Sequence, residues 1–200
     1  MFVQVIEGRV ADAEGLKRQV ERWRQEIRPG AVGYLGSTGG IADDGRSILV
    51  ARFESEAAAR RNSDRPEQGE WWAETSKYYD GEVSFHESTD VEQITGPGSD
   101  DAGFVQVMQG RCPNRGRLQE LESAMGPTLH EQRPDVLGDF RVWYGQGDFT
   151  MVIYFTSEAA ARQGEAKAPP ADAREGFDEW PSLLQDVRFT DLRDPWLFSA

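Results

Sequence analysis

The chain repeats itself, and this limits what it can fold into more than any other property. FVQVIEGR at residues 2–9 returns as FVQVMQGR at 104–111, identical at six of eight positions, and SEAAAR at 55–60 returns unchanged at 157–162. Both pairs are 102 residues apart. Between them Glu26, Arg28, Pro29, Val32 and Gly33 find counterparts in Glu131, Arg133, Pro134, Leu137 and Gly138, and beyond them Val83 and Phe85 match Val187 and Phe189. The order never breaks, so the sequence describes two diverged copies of one module in tandem. TGPGSDDAG, residues 95–103, is too rich in Gly, Pro, Ser and Asp to continue a strand, and reads as the linker between modules 1–94 and 104–200.

Within the first copy, Phe2 to Arg9 is a strand pattern and Asp12 is placed to cap a helix. Leu16, Val20, Trp23 and Ile27 draw one apolar stripe along that helix, which Pro29 and Gly30 stop. Residues 34–41 and 47–53 flank Ala-Asp-Asp-Gly-Arg, a hairpin signature. A second helical region from Ser55, broken near Pro66, leads to a last strand over 83–89. The second copy repeats this order, with Leu118, Leu121, Met125 and Leu129 on the face of a helix that Pro127 should kink or split. The expectation is an α+β protein of two ferredoxin-like βαββαβ modules, each a four-stranded antiparallel sheet with helices on one face. The other face of each sheet is also apolar, and at about 25 cal/mol per Å² its exposure would be costly. A pseudo-dimeric α+β barrel, in which the two sheets cover one another, is therefore expected.

Thirty-five acidic residues against 22 basic ones give a net charge of −13, which repels phosphate backbones and anionic membranes. No nucleic-acid or membrane partner is expected, no apolar run is long enough to span a bilayer, and the opening residues lack the layout of a signal peptide. With one cysteine, Cys112, and so no internal disulfide, the expected setting is the cytoplasm, as a monomer or weak homodimer.

The strand, amphipathic helix and hairpin, with the third strand running into ARFESEAAARRNSDRPEQGEWW at 51–72, resemble the antibiotic biosynthesis monooxygenase-like family of the dimeric α+β barrel superfamily. The resemblance covers both copies. It implies the barrel fold and a small-molecule ligand, and it admits cofactor-independent oxygenases, haem-degrading enzymes and non-catalytic members. Haem-degrading relatives carry a histidine on the second helical region and an asparagine on the first strand. Neither is present here, so haem is disfavoured and no cofactor is expected. Most relatives are single-copy homodimers, which in this chain would be fused.

An oxygenase without metal or flavin needs an apolar pocket, a base to form the substrate anion, and fixed donors for the developing charge. The run from Asn62 to Trp72 could supply these: Trp71 and Trp72 as walls, with Asn62, Arg65 and Gln68 as donors. The alternative reading, which the residue types favour, is a capped helix break with one Trp packed under the sheet. Glu7, whose counterpart is Gln109, and His86 are the candidate acid–base groups, against ordinary structural roles for both. The second copy has lost the run, reading QGEAKAPPADAREGFDEW at 163–180, so a single pocket is expected in the first module. Gln4, Gln106, Arg9 and Arg111, kept in both copies, read as structural, for example in hydrogen bonds between sheets. Trp143, Tyr144 and Tyr154 read as barrel filling or as stacking surfaces, and Cys112 as a small buried residue. The glycines of GYLGSTGG read as strand kinks and not as a phosphate loop. No metal-ligand spacing is present around His86, His130 or any acidic cluster. Trp196, Leu197 and Phe198 are too apolar to dangle, and should dock on the body or on a partner.

Overall fold

In the computed structural model, which describes residues 1–96, 98–170 and 173–199 with the side chains of 96, 127, 129 and 130 left aside, the repeat becomes two compact units. One is Met1–Val91 together with Asp194–Ala200, and the other is Glu92–Arg193. The first holds β1 (Phe2–Val10), α1 (Ala13–Arg22), β2 (Tyr34–Ile41), β3 (Arg46–Phe53), α2 (Glu56–Ser63), α3 (Pro66–Thr75) and β4 (Tyr79–Ser88). After β5 (Val91–Gly96), the second holds β6 (Phe104–Arg111), α4 (Arg115–Gln132), β7 (Val136–Tyr144), β8 (Asp148–Phe155), α5 (Glu158–Glu165), α6 (Arg174–Glu179) and β9 (Gln185–Leu192). The last strand is β10 (Trp196–Ser199).

Local chemistry sets these boundaries, and does so twice. Asp12 accepts from the Gly15 amide at 2.9 Å to start α1. Ser55 and Ser157 accept from the Ala58 and Ala160 amides at 3.2 and 3.1 Å to start α2 and α5. Pro66 opens α3, where its missing N–H costs nothing. Gly45, at φ +81°, makes the turn between β2 and β3. The apolar stripe of the first helix continues past α1 as a π-helical turn, Trp23–Ile27, so Leu16, Val20 and Ile27 are buried together. Pro127 does not split α4, which is continuous from Arg115 to Gln132: a proline in a helix removes one hydrogen bond, and its neighbours carry the turn. Leu118, Leu121 and Met125 are buried as the stripe predicts, whereas the side chains of Leu129 and His130 fall outside the described residues.

Each sheet has five strands rather than four, in the orders β10-β2-β3-β1-β4 and β5-β7-β8-β6-β9. The added strands trade places along the sequence. The stretch that follows β4 pairs with β7 of the second unit, and the stretch that follows β9 pairs with β2 of the first, Phe198 lying opposite Ser37. This docks the apolar tail, and turns the start of the expected linker, Thr95 and Gly96, into strand.

The two units keep one register. β2 pairs with β3 through Tyr34–Phe53, Ser37–Ala51 and Gly39–Leu49, and β7 pairs with β8 through Val136–Phe155, Asp139–Ile153 and Arg141–Met151. Both strands carry an irregularity at the same place, between Tyr34 and Gly36 and between Val136 and Gly138. Gly138 is thus the structural partner of Gly36, at φ +140°, and not of Gly33 as the sequence matching has it. Gln4 donates to Glu87 at 2.6 Å and Gln106 to Asp191 at 2.9 Å, in each case between neighbouring strands of one sheet. Their retention therefore reflects bonds within a sheet, not between sheets. Among the described residues no helix is long and apolar enough to cross a membrane.

Candidate functional site

Tyr34, Ser37, Gly39 and Ile41 of β2 become Val136, Asp139, Arg141 and Trp143 of β7 at equal register. Alternation along β7 puts Asp139, Arg141 and Trp143 on the face that carries the helices. In the first unit this position is packed: Tyr34 meets Trp23 edge-on with ring centroids 4.9 Å apart, its hydroxyl donates to Ser37 at 2.6 Å, and a cavity of about 60 Å³ is left. In the second unit Val136 replaces the phenol ring, and the cavity is about 280 Å³.

That larger cavity has walls of Met125, Met151, Ile153, Phe155, Phe177 and Trp180, and its polar groups are Thr95, Glu122, Arg133 and Asp139. Asp139 is 6% exposed. Thr95 gives it two hydrogen bonds, both on Oδ1, from the amide at 2.8 Å and the hydroxyl at 3.0 Å. Burial holds its carboxyl above the usual carboxylate range, against the opposing pull of the Thr95 donors and of Arg141, with Glu122 adding to the rise. The arrangement is a weak acid in an apolar cleft, its carboxyl weakened by burial and able to take up a proton and give it back.

Behind it lies a buried charge network. Arg141, 0% exposed, forks onto both oxygens of Glu122, stands 3.6 Å from Glu92, and has Trp143 and Phe149 on its guanidinium at 5.2 and 5.5 Å. The indoles of Trp180 and Trp143 donate to Glu122 at 3.2 Å and Glu92 at 2.8 Å. Arg115 adds a forked pair to Glu92, at 2.6 and 3.1 Å, and Gln119 donates to it as well. Burial works to raise the Glu92 carboxyl, yet the Trp143, Arg115 and Gln119 donors outweigh it and leave it lowered. Charges so enclosed are tolerable only because each has partners. Arg133, on the cavity wall, is tied to Asp135 at 2.8 Å.

The residues singled out in the first module divide into two sets. Asn62, Gln68 and Trp71 do line the small cavity, but they are engaged with their neighbours. Gln68 accepts from the Trp23 indole at 2.8 Å and from Asn62 at 3.3 Å; Arg65 donates to Asn62 and to the Ile27 carbonyl, both at 3.0 Å; Trp71 donates to the Gln19 carbonyl at 2.8 Å. Trp72, tilted against Trp71 at 6.1 Å, meets Phe85 edge-on and Tyr79 at a tilt, with centroids at 5.3 and 6.2 Å. Glu7 and His86 belong elsewhere. His86 lies opposite Val5 in the β1–β4 pairing and Glu7 opposite Ser84, which places both on the sheet face away from Gln4 and Ile6, the strand residues that reach the small cavity. The structure therefore brings Asn62, Arg65, Gln68 and Trp71 together but not with Glu7 or His86.

Trp143 also departs from expectation. It faces the helices, packed with Leu118, Cys112 and Met151, and does not fill the opposite face. Cys112 is a buried thiol, pushed up by burial, as its small apolar character implies. Among the described residues no group of three or more His, Cys, Asp or Glu is placed to hold a metal ion. Sequence reasoning passed over Asp139, Glu122 and Arg141. The available signal was three polar or aromatic residues at alternate positions of GDFRVWY, where the other copy has Ser, Gly and Ile.

These features define a class: two ferredoxin-like modules in tandem, the fold of the antibiotic biosynthesis monooxygenase-like proteins. Solved structures that match along almost the whole chain include a candidate monooxygenase from Fusobacterium nucleatum, with a TM-score of 0.76 and 9% identity over 99% of this chain and 94% of that one. Another candidate monooxygenase, from Lactobacillus acidophilus, matches with a TM-score of 0.71 and 8% identity over 99% of both chains. An anthrone oxidase-like protein matches with a TM-score of 0.64 and 10% identity over 98% of this chain and 92% of that one. No protein-family model and no curated protein matches the sequence.

Proposed function

We propose that this chain binds a small aromatic with an acidic ring CH₂ group, of the anthrone type, in the cavity of its second unit and oxidises it with molecular oxygen, without a cofactor, Asp139 serving as the base. The observation that carries the reading is a carboxyl raised by burial on the wall of an apolar cavity of about 280 Å³. A volume near the lower end of the roughly 300–1,000 Å³ of ligand pockets fits a small substrate. The monooxygenase-like fold, and its likeness to an anthrone oxidase-like protein, supply the type of chemistry.

For a ring system with an acidic CH₂ group the steps balance simply. Asp139 takes one proton, leaving an anion that the aromatic rings delocalise. The anion gives an electron to O₂, and the resulting pair combines as a peroxide, which takes up the proton. Loss of water then leaves a ring carbonyl: one oxygen atom enters the product and the other departs in water. The dry walls favour the neutral substrate, and the Trp180 indole and the Arg141-held Glu122 fix the polar side of the cleft.

Oxygen uptake with an anthrone, above its uncatalysed oxidation, tests this with four proteins: wild type, Asp139→Asn, Glu7→Gln and Trp72→Ala. Loss of a general base costs about 10²–10⁴-fold, so Asp139→Asn is expected to lose at least two orders of magnitude while the other two retain turnover. Wild-type rates in Asp139→Asn would refute the assignment. Loss confined to Glu7→Gln and Trp72→Ala would move the site to the first unit. The rival reading, a binding or scaffold module that kept the fold and lost the chemistry, predicts no oxygen uptake above the uncatalysed rate in any of the four proteins.

A further inference from the structure

The sequence reads Thr95 as the first residue of a linker, but β5 carries it to the cavity. There its amide and hydroxyl both donate to Asp139 Oδ1, at 2.8 and 3.0 Å. Three residues earlier on the same strand, Glu92 pins β5 to the body of the unit through Trp143, Arg115 and Gln119. Among the described residues the first unit is arranged differently. Its equivalent of Asp139 is Ser37, which faces Phe198 on β10 and receives the Tyr34 hydroxyl, so that closing strand has no carboxyl to hold.

We propose that Thr95 is the positioning residue of the second unit's site: it clamps one carboxyl oxygen of Asp139, which leaves Oδ2 as the atom that meets a ligand's proton and favours the ionised, proton-accepting form. The segment joining the two modules is then a working part of the site. This rests on the reading of Asp139 as the base. The charged groups around Asp139 are Glu122 on α4, Arg141 two residues along β7, Arg133 at the end of α4 with its partner Asp135, and Glu92 on β5 behind Arg141. Each of these carboxylates has an arginine partner, and Glu122 and Glu92 hold Arg141. Among the described residues, Thr95 is the one that directs uncharged donors at Asp139.

The test is a carbon-13 titration of the Asp139 carboxyl in the full chain, assigned by its disappearance in Asp139→Asn, for wild type, Thr95→Val and Thr95→Ser. Valine keeps the strand and the amide but removes the hydroxyl, so the midpoint is expected to move upward, while serine restores the wild-type value. A Thr95→Val midpoint equal to wild type would overturn the proposal, as would a serine variant that shifts as far as valine. The acid limb of any pH–rate profile should move with the titration. If the titrations behave as expected but no aromatic substrate is oxidised, the oxidase reading fails and the clamp stands. If oxidation occurs through Asp139 with unchanged titrations, the reverse holds.

Discussion

At the scale of single residues, the account turns on Asp139. Its pKa is raised in the folded state, so the stability it contributes is present below the ordinary carboxylate pKa and is lost as pH rises through the elevated folded value. Asp139→Asn keeps an oxygen for the Thr95 donors and removes the buried charge. The variant is therefore expected to be more stable than wild type at neutral pH, with the advantage vanishing in acid. Thermal unfolding at several pH values checks this, and a neutral-pH variant less stable than wild type would mean that the carboxylate is held by partners stronger than Thr95. The same residue shows why the site escaped a reading of sequence. Matching Gly33 to Gly138 slides β7 three positions along β2, so Asp139 and Arg141 no longer fall on Ser37 and Gly39, and the gain of a carboxylate and a guanidinium on one face is hidden. The run from Asn62 to Trp72 looked functional because it is dense in polar groups, yet the Ile27 and Gln19 carbonyls take the Arg65 and Trp71 donors and the Trp23 indole takes the Gln68 acceptor.

At the scale of elements, caps, stripes and hairpins were legible because they depend on near neighbours. Asp12 caps where expected, the helices expected from Ser55 and Ser157 start there, and Gly45 turns where expected. β5 was not, since a short strand on an edge has few side chains to declare it and is flanked by Gly and Pro. What fixes it is distant in sequence: Glu92 reaches Arg115 and Trp143, 23 and 51 residues away. Glu92→Ala removes that anchor and leaves the Trp143 indole without the acceptor it has in the wild type. The expected result is faster hydrogen exchange at the Thr95 amide, with the amides of β6 and β8 in the same sheet unchanged. Unchanged exchange at Thr95 would show that β5 is held by its pairing with β7 alone.

At the scale of the whole molecule, one scaffold has been used twice for different ends. Both units keep the register, the irregularity in the second strand and the glutamine-to-acid bond of the first. Where one closes its interior with Tyr34, Trp23 and Trp71, the other opens a cavity and surrounds it with paired charges. Duplication makes this division possible, because the packed copy retains the fold while the other can carry a buried acid. The most direct measurement is a crystal structure of the protein soaked with a dihydroxynaphthalene. The account predicts the aromatic ring in the second unit against Trp180 and Met151, with a hydroxyl on Asp139 Oδ2. A ring bound beside Trp71 in the first unit, or a second-unit cavity that stays empty while the first fills, would contradict it.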